Sequence, residues 1–249
     1  MLRSVRSYRV PGGEYYTLYS ALADRPHLLI AGATGSGKSV TVNGIIYTLL
    51  LSRSPFQCQF VLVDPKRVEL VQYADLPHTA RYASEPDEIA RSLQWAVDEM
   101  ENRFRSMQSA RSREYDGGDL YVIIDELADL MTTQKDAALP LLQRIAQMGR
   151  AAHVHLIVAT QCVLAKIVPT ELKCNLSTVL GLRTATKAQS RFLVAVPGCE
   201  LLPDPKVEGK GYAFLRDGAN IEKKYIHRYT DAQIDQLVNY WTSSACIAV

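Results

Sequence analysis

The segment Gly32-Ala33-Thr34-Gly35-Ser36-Gly37-Lys38-Ser39 constrains this chain more than any other stretch, because it fits the pattern G-x-x-x-x-G-K-S without a mismatch. An apolar run at 27–32 (HLLIAG) precedes the loop, and a second apolar segment at 40–51 (VTVNGIIYTLLL) follows it. Strand, glycine-rich loop and helix in that order are the context in which the pattern carries chemistry. Glycines let the backbone close around phosphate oxygens, so that successive N–H groups point at them from a helix N-terminus. Lys38 supplies a point charge for the β- and γ-phosphates, and the Ser39 hydroxyl is a ligand for Mg2+. Gly32 through Ser39, with Val40 at the start of the helix, are therefore the expected nucleotide-binding residues. A chain built on this unit is committed to α/β layers, since the loop must sit at the carboxyl end of a covered strand.

The rest of the hydrophobic pattern agrees. Residues 60–64 (FVLVD), 120–125 (LYVIID), 155–160 (HLIVAT) and 178–182 (TVLGL) are short and almost continuously apolar, as strands buried on both faces of a parallel sheet should be. Residues 211–216 and 222–229 are more polar and read as antiparallel additions at an edge. Between Asp87 and Met107, the residues Ile89, Leu93, Val97, Met100, Phe104 and Met107 recur at spacings that place them on one face of a helix. Ser84 is its expected N-cap, and Pro86 falls in the first turn. Residues 106–119, rich in Ser and Arg and closed by Gly117-Gly118, read as a surface loop. With no repeat and no linker, the 249 residues are expected to form a single domain. Its core is placed at about 18–216, with an edge strand plus helix in 217–249.

Two strand ends extend the nucleotide chemistry. Residues 121–126 (YVIIDE) end in two acids. Asp125 can hold the Mg2+ shell, and Glu126 can take a proton from an attacking water. A hydrogen bond from Glu126 to the next loop is the alternative use of that side chain. Residues 155–161 end in Thr160-Gln161, a polar pair able to sense the γ-phosphate or position water, or else simply to terminate the strand. These features activate water rather than a substrate hydroxyl, which speaks against a phosphate-transferring kinase. The guanine-reading pattern N-K-x-D is absent, so ATP is expected over GTP.

Composition narrows the partners. The most apolar stretch, Val42 to Leu51, is interrupted by Asn43 and Gly44, well short of the roughly 18 apolar residues a spanning helix needs, so no membrane insertion is expected. Five cysteines without C-x-x-C spacing argue against a disulfide framework or structural zinc, and fit a reducing cytoplasm. His153 and His155 share one side of a strand without a metal-ligand arrangement. With 28 Lys and Arg against 26 Asp and Glu, any contact with nucleic acid must come from local patches rather than from the field of the whole molecule.

Together the motifs resemble those of the FtsK/SpoIIIE family of DNA-pumping ATPases. Pro26 through Gly44 is similar to that family's PHLLIAG-x-TGSGKSV-x-x-N segment, and Asp64-Pro65-Lys66 with Glu69-Leu70, Tyr73 and Leu76-Pro77-His78 to DPK-x-x-EL…Y…PH. Trp95, Glu99-Met100-Glu101 and Arg103-Phe104 resemble its W-x-x-x-EME-x-R[YF] helix, and Asp125 through Met131 resembles DE[FL]ADLM. Arg144, Ala146-Gln147, Arg150-Ala151-Ala152 and His155-Leu156 complete the likeness, which covers about residues 18–216. The chain departs from the family at Gln161-Cys162-Val163, where Gln-Arg-Pro is usual, and at Thr178-Val179, where an Arg is common.

The resemblance implies a RecA-like P-loop NTPase core, mainly parallel sheet flanked by helices. It implies that the core assembles as a homo-oligomer, usually a hexameric ring, around double-stranded DNA and hydrolyses ATP with Mg2+. In such rings an Arg from the neighbouring subunit offsets transition-state charge. Arg150 is the first candidate, with Arg144 and Arg191 behind it. The candidate catalytic set is thus Lys38, Glu126, Gln161 and Arg150, with Ser39 and Asp125 on the metal. DNA contacts are expected from the segments 132–138, with Lys135, and after Gln161, with Lys166, Thr170 and Lys173. The family's DNA-orienting winged helix and membrane anchor are not found here, so a loading or anchoring protein is an expected partner. A secretion-type ATPase of the same family moving polypeptide, and an ATP-gated interaction module without transport, are the alternatives.

Overall fold

Strands with no polar face are covered only inside a sheet, and the four nearly continuous apolar runs after the first glycine-loop strand go there together with it. The structure, a computed structural model, describes residues 13–245. In chain order the elements are α1 (Gly13–Ala23), β1 (His27–Ala31), α2 (Lys38–Ser52), β2 (Cys58–Val63), β3 (Thr79–Ala83), α3 (Pro86–Ala110), β4 (Asp119–Ile124), α4 (Leu127–Thr133), α5 (Lys135–Met148), β5 (Val154–Thr160), α6 (Thr170–Asn175), β6 (Thr178–Gly181), α7 (Lys187–Val194), α8 (Pro205–Glu208), β7 (Gly211–Asp217), β8 (Asn220–Ile226) and α9 (Asp231–Ala245). The described strands form one sheet in the order β3-β2-β4-β5-β1-β6-β7-β8. Pairing is parallel from β3 through β6 and antiparallel for β6–β7 and β7–β8.

Alternation along the strands builds two cores, one on each face. Leu29, Val61, Val122, Ile124 and Val158 face α3, α5 and α7, whereas Leu28, Ile30, Phe60, Leu62, Tyr121 and Ile123 face α1, α2 and α9. This mixed sheet, mainly parallel and flanked by helices, is the fold the sequence pattern predicts. The polar β7–β8 hairpin takes the edge, as its composition requires. The other edge, β3 (TARYA), escapes the apolar pattern because only Ala83 is buried, and Arg81 instead lies over the Trp95 ring at 5.0 Å.

Helix α3 corrects two expectations. Its N-cap is Glu85, not Ser84: Glu85 and Glu88 form a reciprocal capping box with Pro86 just inside. It also runs to Ala110, so the loop before β4 begins at Arg111, whose left-handed conformation (φ 53°) ends the helix. That loop is tethered rather than free. Arg103 reaches the carbonyls of Gly118, Ala152 and His153, each at 3.0 Å, and the Tyr115 ring lies 4.6 Å from its guanidinium. One buried arginine thereby binds the entry to β4 and the turn before β5 to the end of α3.

Candidate nucleotide-binding site

At the end of β1 the chain turns sharply into α2. Gly32 packs against Leu182, and its N–H donates to the Thr160 carbonyl at 3.3 Å. Gly37 is the N-cap of α2 in a left-handed conformation (φ 102°), where a Cβ would meet no neighbour within 4 Å. The first intrahelical bond runs from Thr41 N–H to the Gly37 carbonyl. The N–H groups of Lys38, Ser39 and Val40 therefore precede the helix ladder and point out of its positive end, which carries no acidic side chain. The Ser36 hydroxyl is buried and has no hydrogen-bond partner among the described residues. A cradle of forward-pointing donors, with a buried unpaired hydroxyl beside it, fits a polyphosphate.

Lys38 is held in place by Asp125. It is 6% exposed, and its ammonium donates to Asp125 Oδ1 at 2.8 Å and to the Asp125 carbonyl at 2.6 Å. Asp125 is itself 2% exposed. A buried pair of this kind gains little net stability, because two desolvation costs offset the attraction. Ser39 stands beside Lys38 in the same cleft, and its hydroxyl with the Asp125 carboxylate provides the hard oxygen donors that Mg2+ takes.

Between β1 and β4 lies β5, so the strand-end Thr160-Gln161 sits between the phosphate loop and the acids. Glu126 is buried and accepts from Thr160 Oγ1 at 2.8 Å, from Gln161 N–H at 3.2 Å and from Ala128 N–H at 3.2 Å, the last making it the N-cap of α4. The loop hydrogen bond that stood as the alternative role of Glu126 is therefore present. Gln161 in turn accepts from Thr34 Oγ1 at 2.7 Å. A polar chain thus runs from the exposed Thr34 of the loop through Gln161 to Glu126.

The cleft in front of the loop has a volume of about 370 Å³. Ala33, Gly35, Gly37, Lys38, Ser39, Val40 and Gln161 line one side of it. The rest of the lining comes from Pro205 and Lys206 of α8, Tyr225 and Ile226 of β8, and Arg228 just after it. The sequence pattern does not reveal this part of the lining, because nothing local marks those residues as facing a loop so far behind them.

Other expected residues lie elsewhere. Arg150 sits in a single turn, Gly149–Ala152, just before β5, and is exposed. The length of β5, about 20 Å, separates it from Gln161 in the same chain. Arg144 is exposed on α5 and pairs with Glu101 at 2.8 Å, and Arg191 is exposed on α7. The segment 132–138 is not a loop: α4 and α5 meet there with a break at Gln134 alone. Lys135 and Lys166 are exposed. The Lys173 ammonium donates to the Phe192 carbonyl and lies 4.0 Å from the Phe192 ring centre. At the far end of the sheet, His153 and His155 converge on Asp119 at 3.3 and 3.1 Å, and Arg53 holds the other oxygen of that carboxylate. Among the described residues no group of three His, Cys, Asp or Glu side chains is disposed to hold a metal ion. No helix of the described residues is long and apolar enough to cross a membrane.

Known proteins are similar to this chain in sequence and in fold. DNA translocase FtsK of Helicobacter pylori is 38% identical over 232 residues, which is 86% of this chain and 26% of that protein. DNA translocase FtsK of Staphylococcus epidermidis is 34% identical over 241 residues, 88% of this chain and 30% of that protein. The chain thus spans less than a third of the length of these relatives. The cytoplasmic domain of the Thermomonospora curvata type VII secretion ATPase EccC shares the fold with a TM-score of 0.73 at 23% identity, over 87% of this chain and 28% of that one. The pCW3 conjugation coupling protein TcpA, a monomer with ATPγS, does so with a TM-score of 0.73 at 24% identity, over 88% and 66%. The sequence profile of the FtsK/SpoIIIE family matches residues 11–120 and 118–164, more than half of the chain. On that match, this chain belongs to the FtsK/SpoIIIE family.

Proposed function

We propose that this chain is a motor domain that hydrolyses ATP with Mg2+ and translocates double-stranded DNA as a ring, hexameric by analogy with its family. The observation that carries the proposal is the buried Lys38–Asp125 pair at the mouth of a donor cradle, with Glu126 and Gln161 on the adjoining strand ends. The loop donors left free by the fold, those of Lys38, Ser39 and Val40 foremost, bind the phosphates. Lys38 turns from Asp125 to the β- and γ-oxygens, freeing the Asp125 carboxylate to join Ser39 on the cation. A Mg2+ held by Ser39 and Asp125 would supply positive charge to offset that of the phosphates. Gln161 orients the attacking water and Glu126 takes its proton, releasing one of the contacts now held at the end of β5.

Arg150, which lies a strand's length from its own site, acts on the neighbouring subunit, where a guanidinium offsets charge in the transition state. DNA as cargo is supported by relatives that carry the name DNA translocase at 34–38% identity. The domain is expected to work in the cytoplasm, placed on DNA by a loading or anchoring protein. The experiment is the ATPase rate with and without duplex DNA, alongside the mass of the assembly. Duplex should raise turnover and favour a ring, and Lys38→Ala should abolish nucleotide binding. An ATPase indifferent to duplex refutes the DNA cargo and leaves polypeptide transport as the alternative, whereas negligible hydrolysis and no ring fit an ATP-gated interaction module.

A further inference from the structure

Between α7 and β7 the chain passes over the phosphate loop, and one residue fastens it there. The Arg183 carbonyl accepts the Ala33 N–H at 2.8 Å, while its guanidinium pairs with Asp204 at 2.8 Å. Asp204 also caps α8 by accepting the Lys206 N–H at 3.0 Å. Arg183 thus docks the loop and α8 on one another, and the consequence falls on Lys206. Its side chain crosses Gly35 so closely that a Cβ there would lie 2.7 Å from Lys206 Cε and 3.1 Å from its Nζ. Gly35 is left-handed (φ 77°) and bare, which is what lets the lysine approach.

The electrostatics of the cleft make this approach consequential. The charge of Lys38 is cancelled by Asp125 at 2.8 Å, so that pair contributes no net charge. Arg228, also in the cleft lining, leans on Asp231 at 3.8 Å. The Lys206 ammonium makes no hydrogen bond or ion pair with any described residue and lines the same cleft. Among the described residues lining the cleft it is a cation with no ion-pair partner, and it is placed over the loop whose free N–H groups face the phosphates.

We propose that Lys206 is a second phosphate-binding residue, supplied by the same chain from the solvent side of the loop, for the di- or triphosphate of a nucleotide. The proposal rests on the nucleotide-binding function above and adds a residue to it. A lysine is suited to this duty as a compact point charge on a flexible stem, able to follow the phosphates without a fixed geometry.

The test is a calorimetric titration of the full chain with ADP, ATPγS and adenosine. Lys206→Gln, which keeps a polar side chain one bond shorter and removes the charge, should weaken ADP and ATPγS about tenfold, the loss of one charge-assisted hydrogen bond, and leave adenosine unchanged. Lys206→Arg should recover most of that loss. Binding of ADP by Lys206→Gln within about twofold of the wild type overturns the proposal, while a loss of all binding in Lys38→Ala leaves the nucleotide site standing. Equal weakening of adenosine overturns it in favour of a structural role for α8. Tighter ADP binding by Lys206→Gln overturns it too, making Lys206 an obstruction. A wild-type chain that binds no nucleotide refutes the nucleotide site and the proposal with it.

Discussion

Replacing Arg103 with methionine tests whether one buried guanidinium holds the foot of the sheet together. Nη1 lies 3.0 Å from three carbonyls, those of Gly118, Ala152 and His153, but carries two protons, so it makes the equivalent of two well-aligned charge-assisted bonds. Nε pairs with Glu99 at 2.9 Å. Methionine keeps most of the stem's packing and removes the donors. Two such bonds are worth about 3–6 kcal/mol when made. Water reaches Gly118 and His153, which are only half-buried, so the net loss settles near about 3 kcal/mol. In a chain of this size that is a fall in Tm of about 6–12 °C.

Urea unfolding followed by circular dichroism measures it. Glu99→Gln should cost under about 1 kcal/mol, because Glu99 is 29% exposed and keeps its hydration. Since the clamp also holds the turn carrying Arg150, the methionine variant should lose ATPase activity in assembled rings beyond its loss of folded protein. A stability loss below about 1 kcal/mol, or a Glu99→Gln loss as large as that of Arg103→Met, would refute the carbonyl-clamp argument.

Three further outcomes follow from the structure. Glu126→Gln should cut turnover about 100-fold or more while still binding ATP, and should shift stability by under about 1 kcal/mol, because the glutamine oxygen still accepts from Thr160 and Gln161; wild-type turnover would remove Glu126 as the base. Gly44→Ala should destabilise by about 1–2 kcal/mol in a thermal melt, although Ala is the better helix former. The new methyl would lie 2.4–2.7 Å from the ring of buried Tyr19, whose hydroxyl is held by the His227 carbonyl; a stabilised variant would contradict this.

Acid should weaken the fold through His27, whose pKa burial pushes down to about 4, with His155 adding to the shift, while His27 Nδ1 accepts the Leu156 N–H at 3.1 Å. The unfolded chain takes up a proton near pH 6.5 that the folded chain refuses. Stability is therefore full above that pH and falls by about 3 kcal/mol as pH drops to about 4. Urea midpoints across that range should show the decline, and His27→Gln should flatten it; an unchanged slope in the variant would exclude His27 as its source.

Helix α3 shows what kind of information a sequence holds. Its apolar stripe is a local periodicity and is legible at once. Its N-cap moves from Ser84 to Glu85 because a reciprocal pair with Glu88 outcompetes a lone hydroxyl. Its end moves to Ala110 because the Ser-rich turn that follows still satisfies helix geometry until Arg111 adopts a left-handed conformation. Arg103 stands in a recognisable motif, yet its three carbonyl partners lie 15 to 50 residues away, so its clamp is invisible before folding.

The same division runs through the site. Sequence alone determined the phosphate cradle, because Gly37 to Val40 are covalent neighbours and a glycine-rich turn into a helix aims the first N–H groups of that helix outward. It also determined that Asp125, Glu126, Thr160 and Gln161 end buried strands, since an apolar run that gives way to acids, Thr or Gln marks the end of a strand. Tertiary structure alone decided that β5 lies between β1 and β4, which ties Glu126 to Gln161 and Gln161 to Thr34, and that Arg150 falls at the far end of the sheet. It likewise decided that α8 and the β7–β8 hairpin close the cleft and bring Lys206 over Gly35. Strand order and edge placement follow from how all the covering helices bury their faces at once, a condition that no single stretch of the chain encodes.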